Sequence, residues 1–171
     1  MEKKMNTAEY WINKLDLIRH PEGGYYKQTY KADELIPLDA LPHRFTFGHS
    51  YSTCIYYLLN KTDFSAFHRI SQDELWHFYY GSPITIHIID PADNYYYSEK
   101  VGINPEKDEF PQSIVKAGYW FAAEVNDKNS FSLLGCTVSP GFEFEDFELA
   151  DRKKLIKIYP QHKNLISKFT R

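Results

Sequence analysis

The sequence has few cysteines and no long apolar run, and each absence excludes a class of protein. Cysteine occurs only twice in 171 residues, as Cys54 and Cys136, each inside an apolar stretch. A secreted domain held together by disulfides would carry more cysteines at framework spacing. No stretch approaches the roughly 18 apolar residues of a membrane span, and the opening MEKKMNTAEYW lacks the apolar centre of a signal peptide. We therefore expect a cytoplasmic protein that does not enter a membrane.

The chain also lacks an excess of positive charge. It has 20 Lys and Arg against 23 Asp and Glu, a net charge of -3, and its basic residues are scattered apart from a short run at 152–154. This balance argues against nucleic acid as a partner. The length fits one domain over 1–171, because a chain of this size can bury roughly 70% of its unfolded surface.

Aromatic residues, by contrast, are abundant. The 14 Tyr, 12 Phe and 3 Trp make up 17% of the chain. Aromatic side chains favour half-buried pleated surfaces, so the composition favours β-sheet. Tyrosine also suits a pocket or an interface that is wet at one end.

The apolar pattern predicts a mainly β protein with helices at both ends. Helical spacing of apolar residues predicts an N-terminal helix over residues 6–18, and helical character returns after residue 150, interrupted at Pro160. Between them, short apolar runs such as Tyr95–Val101 and Gln112–Val115 alternate with turn signals, as in an antiparallel sandwich or barrel. We place this barrel core at about 24–149.

Residues 68–81, HRISQDELWHFYYG, carry the most suggestive chemistry. Alternate side chains of a strand face the same side, so Glu74 shares a face with Trp76 and Phe78. If these apolar residues face the interior, Glu74 does too, and His68 and Ile70 point together from the preceding strand. This pattern favours an acid–base pair in a pocket over a purely structural polar pair.

The segment resembles the first motif of the cupins, a superfamily of double-sheet jelly rolls. Five blocks in order extend the resemblance from about Leu17 to Pro160, and they are similar to the RmlC-like branch catalogued as a domain of unknown function. The blocks are HPEGGYYKQTY, STCIYYLL, FHRISQDELWHFYYG, AGYWFAAE and GCTVSPGFEFEDFELAD. The resemblance implies a jelly-roll barrel with a small-molecule pocket and a homodimer.

The same resemblance also shows where this chain departs from metal-binding cupins. Their pattern offers three imidazoles and a carboxylate, whereas this chain keeps His68 and Glu74 and places Ile70 and Phe121 at the other two positions. Two protein ligands rarely hold a transition metal tightly. We therefore expect no metal cofactor, and any divalent metal would depend on His68 and Glu74.

Further candidate ligand-binding residues lie outside the hairpin. The resemblance favours Glu22 of HPEGG at the mouth of the pocket, although that segment could also be only a turn. Gln28 and Tyr30 are expected to share one face of the first long strand, and Arg44 could bind an anionic group by bidentate hydrogen bonds or simply be solvated. Trp76, Phe78 and Phe121 complete the expected pocket. The segment PGFEFEDFEL is predicted to close the barrel rather than to form a carboxylate cluster.

Three functions remain open at this point. The first is binding of a small polar, carbohydrate-like molecule with metal-independent isomerisation, in which His68 acts as base and Glu74 or a pocket tyrosine as partner. The second is a non-catalytic module that binds or senses a metabolite. The third is a metal-dependent oxygenase or isomerase that recruits histidines from outside the motif.

Overall fold

The computed structural model describes residues 7–171, which form fourteen β-strands and three α-helices. The helices are α1 (Ala8–Lys14), α2 (Arg152–Ile158) and α3 (Lys163–Lys168). The strands, in chain order from β1 to β14, are Ile18–Arg19, Tyr25–Lys31, Leu35–Ile36, His49–Ser50, Thr53–Asn60, Phe64–Arg69, Asp73–Gly81, Ile84–Asp90, Tyr95–Val101, Glu109–Phe110, Gln112–Val115, Trp120–Val125, Phe131–Ser139 and Glu148–Leu149.

Two six-stranded sheets dominate this arrangement. The first has the strand order β1-β2-β5-β13-β7-β11, and the second has the order β10-β9-β8-β12-β6-β14. Neighbouring strands are antiparallel except for β9 and β10. The predicted all-β jelly roll with helices at both ends is confirmed, because alternating apolar residues give each sheet one face to bury.

The main core lies between the inner faces of the two sheets. Buried aromatic and branched aliphatic side chains from both sheets form it, among them Tyr57, Trp76, Ile86, Phe121 and Leu134. Trp76 contacts Tyr57 and Phe121 edge-to-face. This packing holds the two sheets against each other.

The N-terminal helix is shorter than the sequence pattern suggested. Residue 6 lies outside the described residues, and α1 starts after Thr7, whose hydroxyl accepts the backbone N–H of Tyr10 at 3.2 Å. The helix ends at Lys14, and Asp16 has a φ of 53°. Ile18, predicted inside the helix, instead belongs to β1, because the chain reverses at Asp16.

The C-terminal helices match the prediction of helical segments interrupted at Pro160. A 3₁₀ turn, Pro160–His162, separates α2 from α3. Leu155, Tyr159, Ile166 and Phe169 from this region pack with Phe67 in a second core cluster, outside the sheet that contains β6. Within residues 7–171, every helix is too short or too polar to cross a bilayer.

Candidate functional site

A cavity of about 300 Å³ opens between the first sheet and the segment after β13. Its wall combines titratable groups with aromatic and aliphatic side chains. The lining residues are His20, Glu22, Tyr26, Gln28, Lys31, Thr53, Ile55, Tyr57, His68, Ile70, Glu74, Cys136, Val138, Phe142, Glu143, Phe144 and Phe147.

The turn HPEGG carries Glu22 into this cavity. Gly23 and Gly24 have φ values of 120° and 71°, and a Cβ on either would collide with backbone carbonyl oxygens of neighbouring strands. The Glu22 carbonyl oxygen also accepts the N–H of Ala66 at 2.9 Å, which joins the turn to β6. The paired glycines therefore serve a close backbone approach that places a carboxylate inside the protein.

The Glu22 carboxylate lies between two imidazoles. Its Oε2 is 3.0 Å from Nε2 of His68 and 3.4 Å from Nδ1 of His20, and its Oε1 accepts the hydroxyl of Ser65 at 2.8 Å. Glu22 and His68 are both buried. We call His20, Glu22 and His68 the cavity cluster.

Charge and hydrogen bonding keep Glu22 ionised. Burial raises the pKa of Glu22, but the attraction of His68 and then of His20, together with the hydroxyls of Tyr57 and Ser65, outweighs burial and leaves the pKa below the usual value. The Nδ1 of His68 lies 2.8 Å from the carbonyl oxygen of Ala66. Because a carbonyl oxygen can only accept a hydrogen bond, Nδ1 of His68 carries a proton. The contact of 3.0 Å between Nε2 and the Glu22 carboxylate requires a second proton, which lies between these two atoms.

Glu74, on β7, is in the opposite protonation state. It is buried, and no cation contacts it among the interactions of residues 7–171. Burial and then the negative charge of Glu22 raise the pKa of Glu74 to about 8, and a hydrogen bond with Cys136 offsets only part of this rise. Glu74 is therefore largely protonated at neutral pH and can donate a hydrogen bond or a proton into the cavity.

His68 and Glu74 were predicted to act together, and both lie in the cavity wall. The direct partner of His68, however, is Glu22. His20 was not among the predicted site residues, although it stands two positions before Glu22 in HPEGG. Its proximity to a candidate acid in a glycine-containing turn is the signal that could have found it.

An aromatic wall comes from the segment after β13. Phe142, Phe144 and Phe147 contact one another edge-to-face, and Phe144 stacks on the ring of His20. The segment was predicted to close the barrel, and an extended chain would alternate its side chains between two faces. Instead, a 3₁₀ turn at Phe144–Asp146 breaks the alternation and directs all three phenylalanines to the cavity.

A β-bulge decides which residues of β2 face the cavity. Gln28 pairs with Ile55, but Tyr30 pairs with Cys54, which leaves Thr29 as an extra residue. The expected shared face of Gln28 and Tyr30 is therefore wrong. Gln28 lines the cavity, whereas Tyr30 turns outward with 54% of its surface exposed, and Lys31 lines the cavity in its place.

The other predicted pocket residues lie in several places. Ile70 lines the cavity. Phe121 is not part of the lining but packs against His68, with a distance of 4.0 Å between the two ring centroids. Trp76 and Phe78 pack in the core below and do not line the cavity. Arg44 lies outside it and donates from Nε to the carbonyl oxygen of Ser71 at 2.7 Å.

Comparisons with known proteins agree with this architecture. Residues 9–150 match the family described as Cupin superfamily (DUF985). The chain belongs to this cupin family. It is 28% identical over 156 residues to the uncharacterized protein YML079W of Saccharomyces cerevisiae, an alignment that covers 85% of this chain and 76% of that protein.

Solved structures extend the likeness over nearly the whole chain. Protein SO0799 from Shewanella oneidensis is 35% identical with a TM-score of 0.87, covering 98% of this cupin and 99% of that chain. A hypothetical protein from Leishmania major is 33% identical with a TM-score of 0.88, covering 96% and 99%. Oxalate decarboxylase from Bacillus subtilis, at 13% identity and a TM-score of 0.55, shares the fold over 88% of this chain and 36% of its own.

The residues at the metal positions of this cupin do not fit a metal ion. The side chain of Ile70 offers no ligand atom, and the ring of Phe121 covers one face of His68. Nε2 of His68 already contacts Glu22. Among residues 7–171, no three His, Cys, Asp or Glu side chains are arranged as a metal site.

Proposed function

We propose that this cupin binds a small polar, carbohydrate-like molecule in the cavity and isomerises it by acid–base chemistry without a metal. The observation that carries this proposal is the pairing of two buried carboxyl groups in unlike environments. Glu22 lies between two imidazoles, while Glu74 faces the same cavity without a cationic partner. Pairs of titratable groups whose pKa values are driven apart commonly serve as base and acid.

The chemistry requires a substrate with a carbonyl group beside a C–H bond. The Glu74 hydroxyl donates a hydrogen bond to the carbonyl oxygen, while the cavity cluster accepts the proton from the neighbouring carbon. Returning the proton to another position or to the other face gives an isomer or an epimer. Each positioned acid or base contributes about 10²–10⁴-fold to such a reaction.

The aromatic wall suits a ring-shaped polar ligand. Phe142, Phe144 and Phe147 present apolar surface, while Gln28 and Thr53 add polar groups to the same lining. A few placed polar groups within an apolar lining are typical of small-molecule sites. Lys31 and Glu143 form an ion pair at the cavity wall and neutralise each other, which favours a neutral ligand.

The test begins with the compound that accompanies the protein. Mass spectrometry of protein purified without a histidine tag and then denatured identifies the bound compound, which is returned to fresh protein in D₂O. We expect solvent deuterium to enter the compound with wild-type protein and to enter far more slowly with Glu74→Gln. Binding without exchange or turnover would contradict the isomerase proposal.

One observation favours the second candidate, a non-catalytic binding module. Both ring nitrogens of His68 and both carboxylate oxygens of Glu22 are already engaged within the protein. A fully bonded network of this kind can orient a ligand without exchanging protons with it. In that case the co-purified compound binds to wild-type protein and to Glu74→Gln, and neither protein exchanges deuterium into it.

The metal content of the same purified protein tests the metal-dependent alternative. We expect less than stoichiometric Fe, Ni, Mn or Zn, because the two departures at Ile70 and Phe121 leave too few ligands. Stoichiometric metal that is lost in His68→Ala would overturn this expectation.

We also propose a homodimer through the outer face of the first sheet. One cross-strand row on this face carries no charged residue and runs through Tyr30, Cys54, Thr137, Leu75 and Ile114. Tyr30 and Ile114 are exposed, and apolar surface of this kind suits association with a second copy. Light scattering is expected to give twice the chain mass of 20.2 kDa, and the monomer mass at micromolar concentration would contradict the dimer.

A further inference from the structure

The two imidazoles of the cavity cluster differ in how many of their nitrogens are engaged. His68 uses Nδ1 for the carbonyl oxygen of Ala66 and Nε2 for Glu22, at 2.8 and 3.0 Å. Phe121 and Phe147 also cover its ring. His68 therefore has no nitrogen left with which to exchange a proton with a bound molecule.

His20 has one nitrogen left. Its Nδ1 lies 3.4 Å from Oε2 of Glu22 and 3.4 Å from the backbone nitrogen of the same residue. Its Nε2 has no hydrogen-bond partner among residues 7–171, and it is not one of the polar side-chain atoms that are sealed from solvent without a partner. The ring lines the cavity, so Nε2 is the imidazole nitrogen that a cavity ligand can reach.

Packing holds the His20 ring in this orientation. Tyr26, Tyr57 and Phe147 contact its edges and faces at close to right angles, and Phe144 stacks on it at 5.9 Å. Backbone hydrogen bonds fix the turn as well. The N–H of His20 donates to the carbonyl oxygen of Gly24, and the N–H of Gly23 donates to the carbonyl oxygen of His20, both at 3.1 Å. A base held on a rigid turn has the preorganisation that proton transfer requires.

The position of Nδ1 allows both tautomers. When Nδ1 carries the proton and donates it to the Glu22 carboxylate, Nε2 presents a lone pair to the cavity. When Nδ1 accepts the backbone N–H of Glu22, Nε2 carries a proton that it can donate. Burial, then the charge of His68, lower the pKa of His20 against the attraction of Glu22, so the neutral ring prevails at neutral pH.

We propose that His20 is the proton-transferring base of this cavity, that Glu22 orients it, and that His68 is a positioning residue that holds Glu22. This inference rests on the proposed acid–base function. The lone pair of Nε2 takes the proton from the substrate carbon, and the C–H electron pair moves to the carbonyl, whose oxygen is held by the Glu74 hydroxyl. The imidazolium is stabilised by the Glu22 carboxylate until the proton returns to carbon, and no oxidant or reductant is needed.

Chemical modification with diethyl pyrocarbonate tests the reach of Nε2 without any substrate. An unprotonated imidazole nitrogen attacks this reagent, which ethoxycarbonylates the ring and releases CO₂ and ethanol. Peptide mapping follows each histidine over time. The exposed His43 serves as the fast control, and His49, which is fully buried with both nitrogens engaged, serves as the slow one.

We expect His20 to react at least about tenfold faster than His68 and His49, because fully bonded imidazoles react only after local opening. The compound that co-purifies with the protein should protect His20. Reaction of His20 as slow as that of His49 would overturn the inference.

Deuterium exchange into the co-purified compound then separates catalysis from accessibility. His20→Phe keeps an aromatic ring in the stack but has no nitrogen, and we expect it to lose about 10²–10⁴-fold in exchange rate while it still binds the compound. Unchanged exchange in His20→Phe would refute the role of His20 and leave the proposed function intact. No exchange with wild-type protein would refute both, whatever the reactivity of His20. Should His20→Phe fail to fold, His20→Gln serves as the second variant.

Discussion

Two buried carboxylate–imidazole clusters in this protein share one local geometry. In the cavity cluster, Nδ1 of His68 donates to the carbonyl oxygen two residues earlier, and Nε2 meets Glu22. In a second cluster, Nδ1 of His49 donates to the carbonyl oxygen of Phe47 at 2.9 Å, and Nε2 lies 2.7 Å from Asp146. We call His49, Asp146 and Gln72 the sealed cluster, because His49 is fully buried and none of the three lines the cavity.

The two clusters differ in their third residue and in whether that residue faces the cavity. Asp146 accepts a second hydrogen bond from the amide of Gln72 at 2.7 Å, so His49 and Gln72 anchor the 3₁₀ turn Phe144–Asp146 to β4 and to the turn before β7. Glu22 instead meets the ring of His20, which faces the cavity. The same imidazole–carboxylate pair is thus enclosed in one place, and in the other it adjoins a second imidazole that faces a ligand-sized space, which is the arrangement on which the proposed proton transfer depends.

The largest expected effect is that of removing the carboxylate of the cavity cluster. Glu22→Ala leaves two buried imidazoles without their partner, and breaking a buried ion pair from one side costs about 3–5 kcal/mol of unfolding free energy. Urea unfolding at neutral pH measures this loss. A loss of less than about 1 kcal/mol would mean that the cavity cluster is well solvated, contrary to its burial.

The next effect is a pH dependence that comes from the acid opposite the cavity cluster. The pKa of Glu74 rises from 4.5 to about 8 on folding, so the unfolded state releases this proton first and stability falls as the pH rises through that window. Between pH 5 and pH 8 we expect Glu74 to lower the unfolding free energy by about 2–4 kcal/mol.

Glu74→Gln keeps the shape of the side chain but has no group that titrates in this range. It should therefore flatten the dependence of the unfolding free energy on pH between pH 5 and pH 8, measured by urea unfolding. Glu22→Gln provides a second check, since removing the negative charge of Glu22 should shift the Glu74 transition to lower pH. Identical profiles for wild type and Glu74→Gln would contradict the raised pKa.

A smaller effect is expected in the sealed cluster. Asp146→Asn keeps an acceptor for His49 or Gln72 but removes the charge, and we expect a loss of about 1–2 kcal/mol in unfolding free energy. The reactivity of His20 towards diethyl pyrocarbonate should stay near that of wild type. Full exposure of His20 in this variant would show that the two clusters are coupled through the segment after β13.

The smallest effects are expected outside both clusters. Tyr30→Phe and Arg44→Ala alter exposed side chains that do not line the cavity, and phenylalanine keeps the ring that Tyr30 presents on the proposed dimer face, so each should change the unfolding free energy by about 0.5 kcal/mol or less. Binding of the co-purified compound, followed by mass spectrometry, should match wild type. A marked loss of binding in either variant would extend the site beyond the cavity.

Most strand positions could be predicted from the chain alone, and boundaries such as Tyr95–Val101 and Gln112–Val115 are the same in the structure. Alternation also placed Glu74 and Ile70 correctly on the interior, because strand parity is a local property. The failure at Tyr30 has an equally local cause, since the single extra residue at Thr29 reverses parity and leaves no clear mark in the apolar pattern.

The sequence by itself determined the jelly-roll architecture, the family and the two residues that replace metal ligands, because these depend on periodicity and on motifs read along the chain. Only the tertiary structure decided that Glu22 lies between His20 and His68, and that among residues 7–171 one nitrogen of His20 has no partner while both nitrogens of His68 are engaged. The reason is physical. Hydrogen bonds and burial between segments distant in sequence set which atoms are engaged and which protonation state is stable, and no pattern within one segment contains that information.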